Sequence, residues 1–510
     1  MAPKGFPRPV TRRQFLALGA GATTAALIAG CSNTKSPSRT PVAPDSEIVR
    51  AAEDRRRVAG AARHVVSLQP RPTTVDLGGV QVQTWTFDGR VPGAEIRLRR
   101  GDVLQADLSN GLPQPSTIHW HGIALRNDMD GVPGLTQAAV APQSNFRYEF
   151  TVPDSGTYWF HPHFGTQLDR GLYAPLIVED PSDGRDYDVE AVLVLDDWLD
   201  GIAGRNPDRE LDELRARGMK GMNMGGMSMS GMSMPPQRVD PHAPLGSDTG
   251  DVSYPYYLMN GRLGTDPVTL TARPRQRMRL RIINAASDTA FRVAVGGHQL
   301  SVTHTDGYPV QPAMAGCLLI GMGERYDALI DLSDGVFPLV AVAEGKNAQA
   351  FALIRTGAGD APPANTRPVE LNAIPLTAER LSAVEAVQLS RRTPDRVHDV
   401  VLGADANRYV WTINGKVYDE HLPLDVSQGE RVRLRFVNKT MMFHPMHLHG
   451  HTFEVVNSAG TGPRKDTSIV LANQTVEVDF DADNPGQWLV HCHNLYHGEA
   501  GMMSVVSYVQ

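Results

Sequence analysis

Short runs of alternating apolar and polar residues recur along the chain. Examples are VLQADLSN, which ends at Asn110, MRLRIIN, which ends at Asn284, and VRLRFVN, which ends at Asn438. Successive side chains of an extended strand point to opposite faces, so such a run lays one apolar face on a core. The pattern predicts an all-β protein built from sandwiches of short strands.

A recurring turn precedes each of these strands. WTFDGRVPG begins at Trp85, YLMNGRLGT at Tyr257 and WTINGKVYD at Trp411. Asp-Gly and Asn-Gly favour tight turns, and each turn is followed at similar spacing by the strand and its final Asn. We therefore predict three homologous Greek-key β-sandwich domains. The predicted domains cover residues 55–185, 186–365 and 366–510.

Composition supports several domains and excludes one class of partner. The chain has 510 residues, which is too long for a single core. With 41% hydrophobic residues, 21% charged residues and a net charge of -7, it lacks the positive excess that binding to phosphate backbones requires. We expect no nucleic-acid partner, and we expect a monomer. The three cysteines, Cys31, Cys317 and Cys492, cannot build a disulfide framework.

The first residues have the pattern of an export signal. Arg12 and Arg13 in TRRQFL precede a small-residue and apolar run that ends at Cys31. This order is typical of a twin-arginine signal with a lipoprotein cleavage site, over residues 1–31, and the run is too short to span a bilayer. We expect lipidated Cys31 to anchor the exported protein to the outer face of the cell membrane. Residues 32–54 are then predicted to be a flexible spacer.

Histidines form four His-x-His pairs. Residues i and i+2 of a strand share a face, so each pair offers two imidazoles to one side. A single His-x-His pair in a chain usually does not bind a metal. Four such pairs, however, supply too many imidazoles for one ion. Two pairs fall in the first domain and two in the third, so we expect these domains to face each other around a multinuclear cluster, with the second domain setting their spacing. The pairs are His119 and His121, His161 and His163, His447 and His449, and His491 and His493.

Cys492 lies at the centre of the last pair. Its sulfur must point away from the two flanking imidazoles, so it serves a different metal. His497 and Met502 follow it by five and ten residues, and His444 lies just before the HLHG pair. Two imidazoles, a thiolate and a weak axial thioether are the ligand set of a blue copper electron-transfer site. Only a few covalent bonds would then separate electron entry from the cluster.

The motifs HWHG, HPH, HPMHLHG and HCHNLYHGEAGMM resemble the four copper signatures of the multicopper oxidase family. The resemblance covers nearly the whole chain after the signal. It implies three cupredoxin-like domains. It also implies four copper ions, one of type 1, one of type 2 and two of type 3, and the transfer of four electrons to O2. By motif position, the type 1 ligands are His444, Cys492, His497 and Met502. The type 2 pair is His119 and His447, and the type 3 ligands are His121, His161, His163, His449, His491 and His493.

Oxygen reduction to water consumes four protons, so acids are expected near the cluster. Asp130, in DMDGVPG, matches the family acid close to the type 2 copper, although it also fits a turn before Gly131. Some bacterial relatives place a Glu directly after the second type 1 histidine, where this chain has Gly498. Glu499 follows one residue later and is the candidate proton donor. The axial Met502 resembles low-potential members of the family, which suits easily oxidised donors.

Residues 219–234, MKGMNMGGMSMSGMSM, combine repeated Met with Gly and Ser. Glycine at this density prevents a packed core, and thioethers bind Cu(I), so we predict a copper-recruiting loop rather than a plain linker. Met442, shortly before His444, is a further soft candidate ligand for which core packing is an equally good explanation. The methionines of the loop are Met219, Met222, Met224, Met227, Met229, Met232 and Met234.

These features favour a cuprous oxidase that protects the cell envelope from copper, with Fe(II) and phenols as further donors. The enzymatic alternative is a laccase that acts mainly on phenols. A copper-binding or storage protein without turnover is the alternative from another class, and the methionines alone would suggest it. A copper nitrite reductase is disfavoured, because such enzymes lack the full set of eight cluster histidines.

Overall fold

The computed structural model describes residues 40–180, 186–219, 240–405 and 407–510. Strands dominate these ranges, and the predicted all-β class is confirmed. The predicted signal over residues 1–31 and most of the methionine tract lie outside the described residues. Within the described ranges, none of the helices has the length and apolar character needed to cross a membrane.

The first domain pairs two sheets around an aromatic core. Its strands are β1 (Arg63–Leu68), β2 (Pro70–Asp76), β3 (Gln81–Phe87), β4 (Ile96–Arg99), β5 (Val103–Ser109), β6 (His119–His121), β7 (Asn145–Thr151), β8 (Gly156–His161) and β9 (Ala174–Glu179). The sheet orders are β1-β5-β7 and β4-β9-β8-β6, beside the hairpin β2-β3. Trp120 of β6 packs edge-on against Tyr148 and Phe150 of β7, which joins the two sheets.

The second domain contains a six-stranded and a five-stranded sheet. Its strands are β10 (Val189–Trp198), β11 (Tyr256–Met259), β12 (Thr269–Thr271), β13 (Arg277–Asn284), β14 (Phe291–Val295), β15 (Leu300–Thr305), β16 (Tyr308–Ala315), β17 (Leu318–Ile320), β18 (Arg325–Asp331), β19 (Val336–Ala343) and β20 (Ala348–Arg355). The sheet orders are β11-β10-β13-β18-β15-β16 and β12-β20-β19-β14-β17. A helix over Pro207–Arg217 lies between β10 and β11 in sequence.

The third domain repeats this arrangement. Its strands are β21 (Arg396–Ala404), β22 (Trp411–Ile413), β23 (Leu424–Val426), β24 (Arg431–Asn438), β25 (His444–Leu448), β26 (Phe453–Val455), β27 (Arg464–Lys465), β28 (Thr467–Val470), β29 (Thr475–Asp481), β30 (Gln487–Cys492) and β31 (Met503–Tyr508). The orders β22-β21-β24-β29-β26-β27 and β23-β31-β30-β25-β28 match those of the second domain strand for strand. This shared order supports the internal repeat read from the sequence.

The repeated turns have the backbone that their sequence predicts. Asp88, Asn260 and Asn414 have φ of 55°, 50° and 53°, and the glycine after each also has positive φ. Positive φ at both central residues is the signature of the type I′ hairpin turn. The final Asn of each repeat is also used alike: its side-chain amide donates to backbone carbonyls and its oxygen accepts an N–H two residues on. These residues are Asn110, Asn284 and Asn438.

The second half of the predicted spacer is ordered, which corrects that prediction. The helix α1 spans Glu47–Arg56 and buries Val49 and Ala52. The Glu53 carboxylate accepts hydrogen bonds from the backbone N–H and the hydroxyl of Thr151 at 2.8 and 2.7 Å. A few apolar contacts and one buried carboxylate hold this helix in place. Because its sequence is mostly polar, it was assigned to the spacer. The helix Pro207–Arg217 is therefore α2, and Leu495–Glu499 is α3.

The connection between the second and third domains is long and packed. It contains short 3-10 turns and runs along the second domain. Leu376 forms an isolated β-bridge with Leu318, and Ala383 forms another with Val310. The chain between residues 366 and 383 therefore packs with the second domain, although the predicted boundary assigns it to the third. The 3-10 helices of the described residues are Asn127–Met129, Gln167–Asp169, Val369–Asn372, Ala378–Arg380, Glu385–Val387 and Tyr418–Glu420.

Candidate metal centres

A cysteine and two histidines of the third domain meet in a buried triangle. Strand β25 supplies His444, the end of β30 supplies Cys492, and α3 supplies His497. The Cys492 sulfur lies 3.6 Å from Nδ1 of each histidine, and the two Nδ1 atoms are 3.1 Å apart. A first-row metal bound about 2.0 Å from nitrogen and about 2.3 Å from sulfur fits this triangle. Met502 is buried, and its carbonyl accepts the Cys492 N–H at 3.1 Å, which keeps it beside the site.

The far side of each imidazole in this triangle is held by another group. Thr440 Oγ1 lies 2.8 Å from His444 Nε2, and Asp251 Oδ2 lies 2.9 Å from His497 Nε2. Partners on Nε2 fix the ring and leave Nδ1 to bind a metal. Trp411 also stacks on the His497 ring, with centroids 3.9 Å apart. Asp251 comes from the second domain, and the sequence analysis missed it.

All eight histidines of the His-x-His pairs come together between the first and third domains. Strand pairing sets them opposite one another: His119 faces His161 across β6 and β8, and His447 faces His491 across β25 and β30. Their ligand atoms form three groups, each within 4.8 Å. The groups are His119, His121 and His447; His121, His161 and His493; and His163, His449 and His491.

Several nitrogens in this cluster are buried with no hydrogen-bond partner. They are Nδ1 of His121, Nε2 of His161 and both ring nitrogens of His493. Buried polar atoms are normally satisfied, so this arrangement fits bound metal ions. Burial, followed by repulsion from neighbouring imidazoles, lowers the pKa of all three residues well below the ordinary value. The rings are therefore neutral, which is the form that binds metals.

Comparison with known proteins identifies the family. Three family models, each described as multicopper oxidase, match residues 70–183, 241–359 and 391–510. A multicopper oxidase of Mycobacterium tuberculosis, MmcO, is 46% identical over 98% of this chain and 97% of its own length. The chain belongs to the multicopper oxidase family. It is therefore a copper-dependent oxidoreductase that uses O2 as electron acceptor.

The names of more distant relatives of this multicopper oxidase refer either to copper resistance or to laccases. A copper resistance protein A homolog of Pseudomonas syringae is 27% identical, over 85% of this chain and 90% of that protein. The solved structure of a laccase from Botrytis aclada superposes with a TM-score of 0.71 at 26% identity, covering 92% of this chain and 90% of that one. Relatives named for copper resistance and for laccases thus share the fold and much of the length of this chain.

Asp130 holds two ligands of the multicopper cluster at once. Its Oδ1 lies 3.1 Å from His119 Nδ1, and its Oδ2 lies 2.9 Å from His449 Nδ1. The carboxylate thereby turns Nε2 of both rings toward the cluster. Gly131 is required next to it, because a Cβ there would lie 1.9 Å from the Ile118 carbonyl oxygen. The structure thus places Asp130 both in a turn and against the cluster.

Asp466 is a second acid at the cluster of this multicopper oxidase, and the sequence analysis missed it. Its Oδ1 lies 3.1 Å from His121 Nε2 and 3.4 Å from His447 Nδ1. Burial alone would raise the pKa of Asp466, but Arg325 and the hydrogen bonds to the two imidazoles hold it well below its usual range. Asp466 lies between β27 and the uncharged strand β28, and the only signal in the sequence was the Lys-Asp pair that it forms with the last residue of β27.

Glu499 lies in a cavity that reaches the predicted type 3 ligands. The cavity is lined by His161, His163, His491 and His493 as well as Glu499, and His163 and Glu499 also line a groove of about 580 Å³. Burial raises the pKa of Glu499 to about 7. The carboxyl group can therefore both hold and release a proton near neutral pH, between the groove and the cluster of the multicopper oxidase.

Two methionines predicted to recruit copper are buried instead. Met219 is 2% exposed and Met442 is 1% exposed, and both belong to the main apolar core. A side chain that packs in a core cannot collect ions from solvent, so these two assignments were wrong. The other predicted recruiting methionines of this multicopper oxidase lie outside the described residues. They are Met222, Met224, Met227, Met229, Met232 and Met234.

Proposed function

We propose that the protein is a cuprous oxidase that protects the cell envelope from copper, with Fe(II) and phenols as further donors. We also propose the full family set of four copper ions, with type 1 at Cys492 and the other three among the eight histidines. The observation that carries the choice of Cu(I) is that the described chain before the methionine tract ends against the third domain, and the described chain after it includes Asp251, which contacts the type 1 ligand His497. The relatives named for copper resistance support the same choice.

The described chain on each side of the methionine tract contacts the third domain. Before the tract, a Cβ built on Gly218 would lie 2.7 Å from the Asn407 carbonyl oxygen. After the tract, Asp251 is hydrogen-bonded to His497. Arg217 and Asp251 also line one groove of about 490 Å³. A tract tethered at these two points would keep Cu(I) close to the type 1 site.

The surroundings of His497 favour a small donor over a bulky one. The imidazole is fully buried, so a phenol cannot contact it directly in this conformation. The Asp251 carboxylate covers it and accepts a hydrogen bond from the Tyr409 hydroxyl at 2.6 Å. The groove beside it is lined by Asp248 and Asp251 and by Arg217 and Lys346, so its formal charges balance. The site therefore favours a small donor by restricting access.

The polypeptide links electron entry to oxygen reduction. Bound copper would supply one-electron transfer at the type 1 site and four-electron reduction of O2 at the cluster. Cys492 belongs to the first site, and its neighbours His491 and His493 belong to two different groups of the second. The covalent path between the sites is therefore a few bonds long. Asp130 holds the cluster rings at its two carboxylate oxygens, and Glu499 can hold a proton at its carboxyl group.

Replacing Glu499 with Gln tests the proton role. We expect oxygen consumption to fall about 10²-fold or more, because Gln keeps the shape of the side chain but cannot release a proton toward the cluster. The rate at which the donor reduces the type 1 copper should stay unchanged in stopped-flow measurements. Asp419, which lines the same groove, provides the control: Asp419→Asn should leave both rates as they are. Equal rates in Glu499→Gln and the wild type would remove Glu499 from proton delivery.

The donor is tested by oxygen uptake with Cu(I), Fe(II) and a simple phenol, before and after a change in the tract. Substituting leucine for the six methionines between residues 222 and 234 keeps the length and removes the thioethers. We expect the rate with limiting Cu(I) to fall about tenfold or more, because the local concentration of the donor is lost, and the rate with the phenol to stay within about twofold.

One control variant and two possible outcomes separate the alternatives. Replacing the serines of the tract by alanine should change nothing. A phenol preference that is indifferent to the methionines would make the enzyme a laccase. Cu(I) binding without any oxygen uptake would indicate a storage protein.

A further inference from the structure

The second domain directly contacts the trinuclear site, the cluster of eight histidines proposed to hold the type 2 and type 3 coppers. The loop between β17 and β18 carries Gly323, whose φ is +85°. A Cβ on this residue would lie 2.9 Å from the His493 ring and 3.1 Å from Cε1 of His121. Contacts this short leave no room for a side chain. The second domain is therefore more than the spacer that the sequence analysis expected.

Arg325, at the end of the same loop, joins all three domains. Its two terminal nitrogens donate to the two carboxylate oxygens of Asp466 in the third domain, at 2.7 and 2.6 Å. Its Nε donates to the Thr157 carbonyl of the first domain at 3.0 Å, and one terminal nitrogen donates to the Gly323 carbonyl at 3.2 Å. Arg325 and Asp466 are both fully buried. This fork geometry is specific to arginine.

The carboxylate that Arg325 grips is the one that orients two cluster ligands. Asp466 Oδ1 accepts from Arg325 and also lies within 3.4 Å of His447 Nδ1 and 3.1 Å of His121 Nε2. With Nε2 engaged, the free nitrogen of His121 is Nδ1, which has no other partner. His447 Nδ1 is engaged by the Asp466 backbone carbonyl at 2.9 Å and by Thr467 Oγ1 at 3.1 Å, with the Asp466 carboxylate further away. The free nitrogen of His447 is therefore Nε2, which faces Nε2 of His119 at 3.4 Å. Asp466 thus selects the metal-facing atom of both rings, of His121 through its carboxylate and of His447 through its carbonyl and carboxylate together.

The surrounding chain is built to accommodate this ion pair. A Cβ on Gly122, the glycine of HWHG, would lie 2.4 Å from the Arg325 guanidinium and 2.7 Å from the Asp466 carboxylate. Asp306 accepts the Arg325 backbone N–H on one oxygen and the Asp466 backbone N–H on the other, at 2.9 and 3.1 Å. A buried carboxylate that lost its cation would have to move or be neutralised. The position of Asp466 thus depends on Arg325.

We propose that Arg325 is a positioning residue of the trinuclear site. By clamping Asp466 it fixes which nitrogens of His121 and His447 face the metals, and it makes copper retention depend on the docking of the second domain. The role is independent of the electron donor, because it concerns only the ligands of the cluster. It can therefore be tested on the copper-loaded protein at rest, without any substrate.

Arg325→Met is the decisive variant. Removing an outer partner of metal ligands weakens metal binding about 10–100-fold, so we expect that loss for the type 2 copper, whose predicted ligands include His447. It is measured by titrating the loaded protein with a chelator while following the type 2 signal in electron paramagnetic resonance. The blue absorption of the type 1 copper should persist. Arg325→Lys keeps the charge but not the fork, so it should give an intermediate loss.

Arg279→Met is the matched control. Arg279 is a buried arginine of the same sheet that donates to Asp327 at 2.6 and 3.0 Å. The Arg279→Met variant should lose thermal stability comparable to the loss in Arg325→Met, but it should retain type 2 copper as the wild type does. Wild-type copper retention in Arg325→Met, or an equal loss in Arg279→Met, would overturn the proposal. If Arg325→Met does not fold, Arg325→Lys decides, and unaltered type 2 copper in that variant would be equally contrary.

Discussion

Cys492→Ser is expected to lower oxygen consumption with every donor by about 10³-fold or more and to remove the blue colour. The thiolate lies 3.6 Å from both imidazole nitrogens of its site, and a hydroxyl offers the metal neither a comparable charge nor a soft sulfur. The same residue is the covalent link to His491 and His493, so electrons that bypass it lose the short route. Visible absorption and oxygen uptake measure the two effects on one sample.

Cys317→Ser is the control for this experiment. Cys317 is buried in the second domain, where its thiol lies 3.5 Å from the Ala373 carbonyl. Its replacement should cost some stability and leave colour and turnover intact. Appreciable turnover by colourless Cys492→Ser protein would show that electrons reach the cluster without the type 1 site.

Asp130→Asn is expected to slow the reduction of O2 by about 10²–10⁴-fold, which is the range for losing a positioned acid or base. The carboxylate contacts His119 and His449 on separate oxygens. An amide can accept through only one of them and cannot exchange a proton at neutral pH. The measurement is the reoxidation of fully reduced enzyme by O2 in a single turnover.

Asp128→Asn separates this effect from a general disturbance of the loop. Asp128 lies two residues away and pairs with Arg126 at 2.7 Å through both of its oxygens. Reoxidation in this variant should match the wild type, and donor reduction of the type 1 copper should be normal in both variants. Fast reoxidation of Asp130→Asn with normal copper content would assign Asp130 to the turn alone.

The features that the sequence predicted well follow local rules. Alternation of side chains along a strand is enough to pair the imidazoles of each His-x-His motif and to turn Cys492 the other way. The Asn-Gly turns at Asn260 and Asn414 and the buried Asn of each repeat depend on a few neighbouring residues. Each of these predictions needed a short stretch of chain and no knowledge of how domains dock.

The features that were missed arise where distant segments meet. Asp251 is 246 positions from His497, and Arg325 is 141 positions from Asp466, so no local pattern marks either pair. Whether Met219 packs in a core or faces solvent is likewise decided by what lies against it. Docking fixes these contacts, and a single sequence carries no separate signal for it.

The pairing of Thr40 with Gln510 sets how the molecule can be attached to a surface. Each donates its backbone N–H to the other's carbonyl, at 3.2 and 3.0 Å, so both ends of the described fold leave from one corner. Strand β31 runs from that corner to Met502, a distance of roughly 20–25 Å. An electrode attached at residue 40 or at residue 510 would therefore meet the same orientation of the described fold and the same distance to the type 1 site.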